Sequence, residues 1–373
     1  LEERSNNPLF DKCCIIGLGL MGGSLGISMK RYGVARECWG FDQNMSAMQE
    51  ARSRGAVDRA EDLEQALDSA DLVVLALPIR QTIEMLKKIG PHLRAGAVVT
   101  DVGSTKESIV QAMETYLPTG ISAVGGHPMA GSEKTGIEAA DPLLLENAVY
   151  LLTPASNVSR DVVEKMEQMV YAMKAYPVVL QAESHDHLVA LVSHLPHLLA
   201  VALVNTLRCS PGERELLPAL AGGGFRDTTR IAMGDASLWY DIFSTNSRSL
   251  KEALQAFQVQ VDQLWSLLEN EQEQEARDEL EQARKYRRAL PYRGKGLMPE
   301  VFELIIMLPD VPGVIGKVAT LVGEAGLNIS EVEMLKNREN EGGSIRLGFG
   351  RLAERDEALL VLEEAGYRCW KRG

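Results

Sequence analysis

A chain of 373 residues, 45% hydrophobic and 24% charged, is long enough for two or three domains, each with its own core. Its formal net charge of -13, from 39 basic against 52 acidic residues, removes the broad attraction to phosphate on which nucleic-acid and anionic-membrane binding rest, so neither is expected as a partner. An anionic ligand would need a local cluster of donors inside an acidic molecule.

The segment from Leu1 to Pro8 lacks the apolar core of a signal peptide. The cysteines Cys13, Cys14, Cys38, Cys209 and Cys369 show neither paired metal spacing nor a disulfide framework, so a reducing, cytoplasmic setting is expected. From Lys12 to about Ala182 short apolar runs alternate with helical patterns, the signature of an α/β fold in which crossover helices join the strands of a parallel, Rossmann-type doubly wound sheet. Strands are expected over residues 13–17, 38–42, 72–77, 97–101, 148–153 and 178–181. The texture then changes to long helical patterns, and the most apolar stretch, 188–207, reads as a buried helix because His194, Pro196, His197 and Asn205 would be costly in lipid. The expected domains are therefore 1–182, nucleotide-binding; 183–290, all-helical; a Pro- and Gly-bearing linker, 291–297; and a ferredoxin-like βαββαβ unit, 298–373.

The first expected strand runs into Gly17-Leu18-Gly19-Leu20-Met21-Gly22 and then a helix, which is the context a dinucleotide fingerprint requires. Gly17 allows the tight turn, Gly19 lets the backbone approach a pyrophosphate, and Gly22 permits close helix-strand packing at the helix N-terminus. Asp42 ends the next strand 20 residues beyond Gly22. A carboxylate there accepts from both ribose hydroxyls and repels a 2′-phosphate, so NAD is the expected cofactor rather than NADP. Leu77 and Pro78, where the strand over 72–77 ends, are counted with Leu20 and Met21 in the same cofactor site.

Three further motifs carry polar residues beyond strand ends or in the helical region. In Asp101-Val102-Gly103-Ser104-Thr105-Lys106, Ser104 reads either as a helix cap or as a functional hydroxyl that also borders the cofactor. In Val124-Gly125-Gly126-His127-Pro128-Met129-Ala130-Gly131, a Gly-rich loop holds His127 where an imidazole can exchange a proton near neutral pH. Ser193-His194-Leu195-Pro196-His197 is followed by Gly222-Gly223-Gly224-Phe225-Arg226-Asp227-Thr228-Thr229-Arg230, where Arg230 reads as a carboxylate clamp oriented by Asp227 on one helical face. The two histidines at i,i+3 have no acidic or cysteine partner of matching spacing, so no metal is expected.

These motifs, in this order over roughly residues 12–268, resemble the prephenate/arogenate dehydrogenase family of tyrosine biosynthesis. The last segment separately resembles an ACT regulatory domain, through Leu308-Pro309-Asp310-Val311-Pro312-Gly313 and Gly326-Leu327-Asn328-Ile329. The first resemblance implies that NAD takes a hydride from the hydroxyl-bearing ring carbon of prephenate, with loss of the ring carboxylate as carbon dioxide to give 4-hydroxyphenylpyruvate. It implies His127 as the base for the ring hydroxyl, assisted by Ser104, with Arg230 on one carboxylate and His197 on the side-chain end. It further implies supporting or gating roles for Glu133 and Asp227, positive potential from Lys106, and a Trp239 that reaches the site of a partner subunit in an intertwined homodimer. The ACT resemblance implies tyrosine as effector, bound between paired units around Asp310, Pro312, Gly313, Asn328 and Ile329. Three alternatives stay open: arogenate as substrate; a β-hydroxyacid dehydrogenase, whose catalytic lysine has no evident counterpart; and a non-catalytic amino-acid sensor with structural NAD.

Overall fold

The computed structural model describes residues 7–131, 134–210, 216–290, 302–309, 311–335 and 343–372. The expected linker over 291–297, Glu133 and Asp310 lie outside them. The chain divides into two units, Leu1–Arg287 and Arg288–Gly373.

In the first unit the apolar run around Cys13 forms β1 (Phe10–Ile16), buried at all but one position, as a central strand covered on both faces must be. It stands among β2 (Ala35–Phe41), β3 (Arg59–Ala60), β4 (Leu72–Leu75), β5 (Val98–Asp101), β6 (Ser122–Pro128), β7 (Val149–Pro154) and β8 (Tyr176–Val179), in the order β3-β2-β1-β4-β5-β6-β7-β8. The chain reverses direction across the sheet between β1 and β4, which opens a crevice at their carboxyl ends.

Two sequence expectations need correction. The segment of His127 is not a loop but the end of β6, and the sheet is not parallel throughout, because β7 pairs antiparallel with β6. The cause is the connection: between β6 and β7 the described residues form a short 3₁₀ turn, Ile137–Ala139, and hydrogen-bonded turns over 142–147, in place of the crossover helix that a parallel return needs. The two-residue β3 escaped notice for lack of an apolar run.

The apolar stretch that follows is helical from Ala182 to Cys209, and by length and composition it could cross a membrane. Its buried side carries His185, Asp186, His194 and His197, packed into the unit, while Leu188, Val192 and Leu203 are exposed. The expected buried helix is thus buried on one side only. Its turns widen to a π-helix over Ala190–His194, just before Pro196. Proline donates no N–H and its ring crowds the carbonyl four residues back, and the wider turn relieves both. The helices Ala236–Thr245 and Ser247–Glu269 pack against this segment, with Leu250 and Ala253 meeting Ala190 and Leu195.

The second unit has the expected βαββαβ order: β9 (Phe302–Met307), a helix (Val314–Glu324), β10 (Ile329–Leu335), β11 (Ser344–Phe349), a helix (Leu352–Glu364) and β12 (Arg368–Arg372). The sheet order is β10-β11-β9-β12, with every pairing antiparallel. Alternation along β11 sends Ile345, Leu347 and Phe349 into a core with Val318, Val322 and Leu362, and turns Arg346 to the other face, bonded to Glu303, Glu331 and Glu333. Pro312 and Gly313 precede the first helix, whereas Asn328 and Ile329 follow it. An 11-residue helix, about 16 Å long at 1.5 Å per residue, stands between these two turns, so one unit does not bring them together.

Candidate active site

The turn after β1 is shaped by steric need. Gly17 has φ +96, and a Cβ there would lie 2.3 Å from the Ala76 carbonyl oxygen. A Cβ on Gly22 would meet the Gly17 carbonyl at 1.9 Å, so Gly22 seats the helix Leu20–Arg31 on the strand rather than facing a ligand. Around Gly19 there is open space, and no side chain caps the helix that it begins, which leaves the first N–H groups for an anion. Leu20 and Met21 are half-buried in that first turn. The Asp42 carboxylate accepts from the Leu18 and Asn44 backbone N–H groups, both at 2.8 Å, and thereby fixes the glycine loop while keeping a lone pair on each oxygen for a ribose. Gly17, Gly19 and Asp42, with Leu77 and Pro78, line a cavity of about 250 Å³, whereas Leu20, Met21 and Gly22 are not among its lining residues. Open backbone at Gly19, a bare helix N-terminus and a carboxylate at the ribose position suit NAD.

A second polar cluster lies beyond β5 and β6. His127 Nδ1 is 2.8 Å from His185 Nε2, and His185 Nδ1 is 2.8 Å from Asp186 Oδ1. Asp186 also accepts the backbone N–H groups of Lys106 and Glu107, at 2.7 and 3.0 Å. It therefore caps the helix Glu107–Tyr116, so Ser104, two residues ahead of the Lys106 N-cap, is not the cap. Because a carboxylate only accepts, His185 carries its proton on Nδ1 and offers the Nε2 lone pair to His127 Nδ1–H. The lone pair of His127 is then on Nε2. Burial, with His185, Lys106 and His194 close by, holds the His127 pKa well below 6.5 and keeps the ring neutral. Burial likewise lowers His185, against the pull of Asp186.

His197 is buried and stacks on Trp239, with centroids 3.5 Å apart and planes at 13°. Its Nδ1 has no partner within the described structure. Within its own chain Trp239, the residue expected to reach a partner's site, lies against His197. Asn246 Nδ2 donates to the Asp186 carbonyl at 2.7 Å and lies 3.1 Å from His194 Nδ1, and burial takes His194 down to about 4.

Other expectations fare differently. Lys106 is fully buried, with Nζ 2.5 Å from Asp101 Oδ2 and 3.0 Å from the Thr105 carbonyl, so it braces the turn instead of facing a ligand. Asp227 and Arg230 are both exposed, and no ion pair joins them among the described residues; the α-helix Gly223–Thr229 passes between them into a 3₁₀ turn, Arg230–Met233. The segment after Arg230 packs on the histidine helix, and a Cβ on Gly234 would lie 3.1 Å from the His197 ring. Sequence reasoning missed His185, Asp186 and Asn246. The only signal for the first two is a cluster of ionisable residues, His185-Asp186-His187, at the start of an apolar helix.

Comparison with known proteins gives a consistent picture. A family described as prephenate dehydrogenase, nucleotide-binding domain, matches residues 25–179, and one described as prephenate dehydrogenase, dimerization domain, matches residues 181–282. The prephenate dehydrogenase of Bacillus subtilis is 32% identical over 96% of this chain and 97% of its own, and that of Lactococcus lactis is 34% identical over 95% and 98%. A crystal structure of prephenate dehydrogenase from A. aeolicus, in complex with hydroxyphenyl propionate and NAD+, is 32% identical with a TM-score of 0.71, covering 75% of this chain and 98% of that one.

Proposed function

Because this chain belongs to the prephenate dehydrogenase family, we propose that it performs the NAD-dependent oxidative decarboxylation of prephenate to 4-hydroxyphenylpyruvate, with His127 as general base. The observation that carries this reading is the buried line from Asp186 through His185 to His127, which ends in a neutral imidazole with its lone pair on Nε2. The Gly17–Gly19 turn and Asp42 would hold NAD+, which would supply the acceptor for the hydride of the ring carbon. His127 takes the proton of the hydroxyl on that carbon, and Ser104 in the neighbouring turn hydrogen-bonds the same oxygen. The forming ring ketone draws in the electrons of the bond to the ring carboxylate, carbon dioxide leaves, and the ring becomes aromatic.

Prephenate is a dianion, so an acidic protein must supply local donors. Arg230 meets one carboxylate, Glu133 and Asp227 support or gate it, and His197, held flat by Trp239, receives the side-chain end through its unpartnered ring nitrogen. His197 favours the keto acid over arogenate only modestly, because a neutral imidazole, its pKa lowered by burial, can donate to a ketone or accept from an ammonium.

The exposed apolar residues Leu188, Val192, Leu203, Val261 and Trp265 support a homodimer formed through the helical segment, and the free cysteines suit a cytoplasmic enzyme. The βαββαβ unit is read as an ACT domain with tyrosine as effector. Its two turns, kept apart within one copy by a helix, meet only when two copies pair.

NADH formation measured with prephenate and with arogenate, at saturating NAD+ and with or without tyrosine, tests this reading. Prephenate is the faster substrate and tyrosine lowers the rate; absence of NADH with prephenate overturns the reading. Tyrosine inhibition that survives removal of residues 298–373 overturns the role of the C-terminal unit.

A further inference from the structure

We infer that Asp101 is the positioning residue of this site: its single carboxylate ties the Ser104 turn to the His127 strand, so that hydroxyl and imidazole converge on one substrate atom. The inference rests on the roles given to Ser104 and His127 above.

The backbone ladder between β5 and β6 ends with the pair Thr100 and Val124. Beyond it the two strands carry no further ladder pairing, and there the Asp101 side chain takes over. Its Oδ1 accepts the Gly126 N–H at 3.1 Å, one residue before His127. Its Oδ2 accepts the Gly103 N–H at 2.7 Å, one residue before Ser104. Lys106 Nζ completes the set at 2.5 Å, and both charges are fully buried.

Both glycines are needed for this approach. A Cβ on Gly126 would lie 2.5 Å from the Asp101 carbonyl oxygen, and one on Gly103 would lie 2.9 Å from Asp101 Oδ2. The ties also close a ring. Asp101 holds Gly126, the next residue is His127, His127 bonds His185, His185 bonds Asp186, Asp186 holds the Lys106 backbone, and the Lys106 ammonium returns to Asp101. A buried ion pair needs only one acceptor for one ammonium. Here the carboxylate serves three donors, two of which belong to the segments that carry the chemistry.

Asp101→Asn separates positioning from plain stabilisation. The amide has the same shape but one acceptor oxygen, and its NH2 faces a backbone N–H, so one of the two segments must let go. We expect kcat to fall by about 10²-fold, the effect of a displacement of about 1 Å at a reacting group, with NADH affinity by fluorescence unchanged. The substitution also strands the Lys106 ammonium and lowers Tm. Adding Lys106→Met removes that unpaired charge, so the double variant recovers Tm and keeps the low kcat.

A double variant that recovers kcat together with Tm, or an Asp101→Asn enzyme with wild-type kcat, overturns the inference. His127→Asn measured alongside keeps the two claims apart. If His127→Asn is inactive while Asp101→Asn is fully active, only the role of Asp101 falls. If His127→Asn is fully active, the assignment of the base falls first.

Discussion

At the carboxyl end of β1 the protein presents backbone: Gly17 and Gly19, a bare helix N-terminus, and one carboxylate that bonds Leu18 from across the turn. At the carboxyl ends of β5 and β6, along the same sheet, it presents side chains from four separate stretches, namely Asp101, His127, His185 with Asp186, and Asn246. The first site needs close approach and fixed dipoles, which a short run of glycines before a helix supplies. The second must keep a proton acceptor neutral and aimed, which requires burial and partners brought together by tertiary folding.

Substitutions that act on one region and spare the other test this contrast. The largest effect is expected at the proton pocket, where His127→Asn lowers kcat by about 10²-fold or more while NAD affinity, measured by fluorescence titration, stays near the wild-type value. A parallel loss of NAD affinity would mean that the two regions are not separable. Gly17→Ala is the converse case. Its Cβ would collide with the Ala76 carbonyl at a φ of +96, so NAD affinity weakens by about tenfold, from 1–3 kcal/mol of local strain, while the rate at saturating NAD+ changes less.

The smallest effect is on stability. His127, His185 and His194 are all held below their ordinary 6.5 by burial. The unfolded chain therefore binds protons near pH 6.5 that the folded chain refuses. Stability is fully present above pH 6.5 and is lost as the pH falls, for His194 through the window from 6.5 to about 4. Tm should hold between pH 8 and 7 and decline below 6.5, and a Tm independent of pH down to 5 would mean that these rings are not buried in the folded protein.

The same contrast explains what the sequence made legible. The cradle is local, so Gly17, Gly19, Gly22 and Asp42 could be read from spacing within one strand-turn-helix and the strand that follows. The histidine relay is not local. His127 and His185 are 58 residues apart in the chain and meet only because the helix from Ala182 packs at the ends of β5 and β6. Lys106 invited a reading as a source of positive potential because sequence alone cannot show that Asp101, five residues earlier, turns back to neutralise it. Trp239 could be marked as a site residue but not assigned a partner, since its stacking on His197 depends on how two helices cross. The antiparallel turn at β7 was hidden for a different reason: an apolar run gives a strand its existence but not its direction.

The central claim is that His127 works as a base already neutral in the resting protein. The dependence of kcat/KM for prephenate on pH tests it most directly, because that ratio reports ionisations of the free enzyme. With the His127 pKa held well below 6.5, log kcat/KM stays level from pH 8 to 6.5 and falls only at lower pH, as the ring takes up its proton. A falling limb centred above pH 6.5 in the wild-type enzyme, absent from His127→Asn, would contradict it.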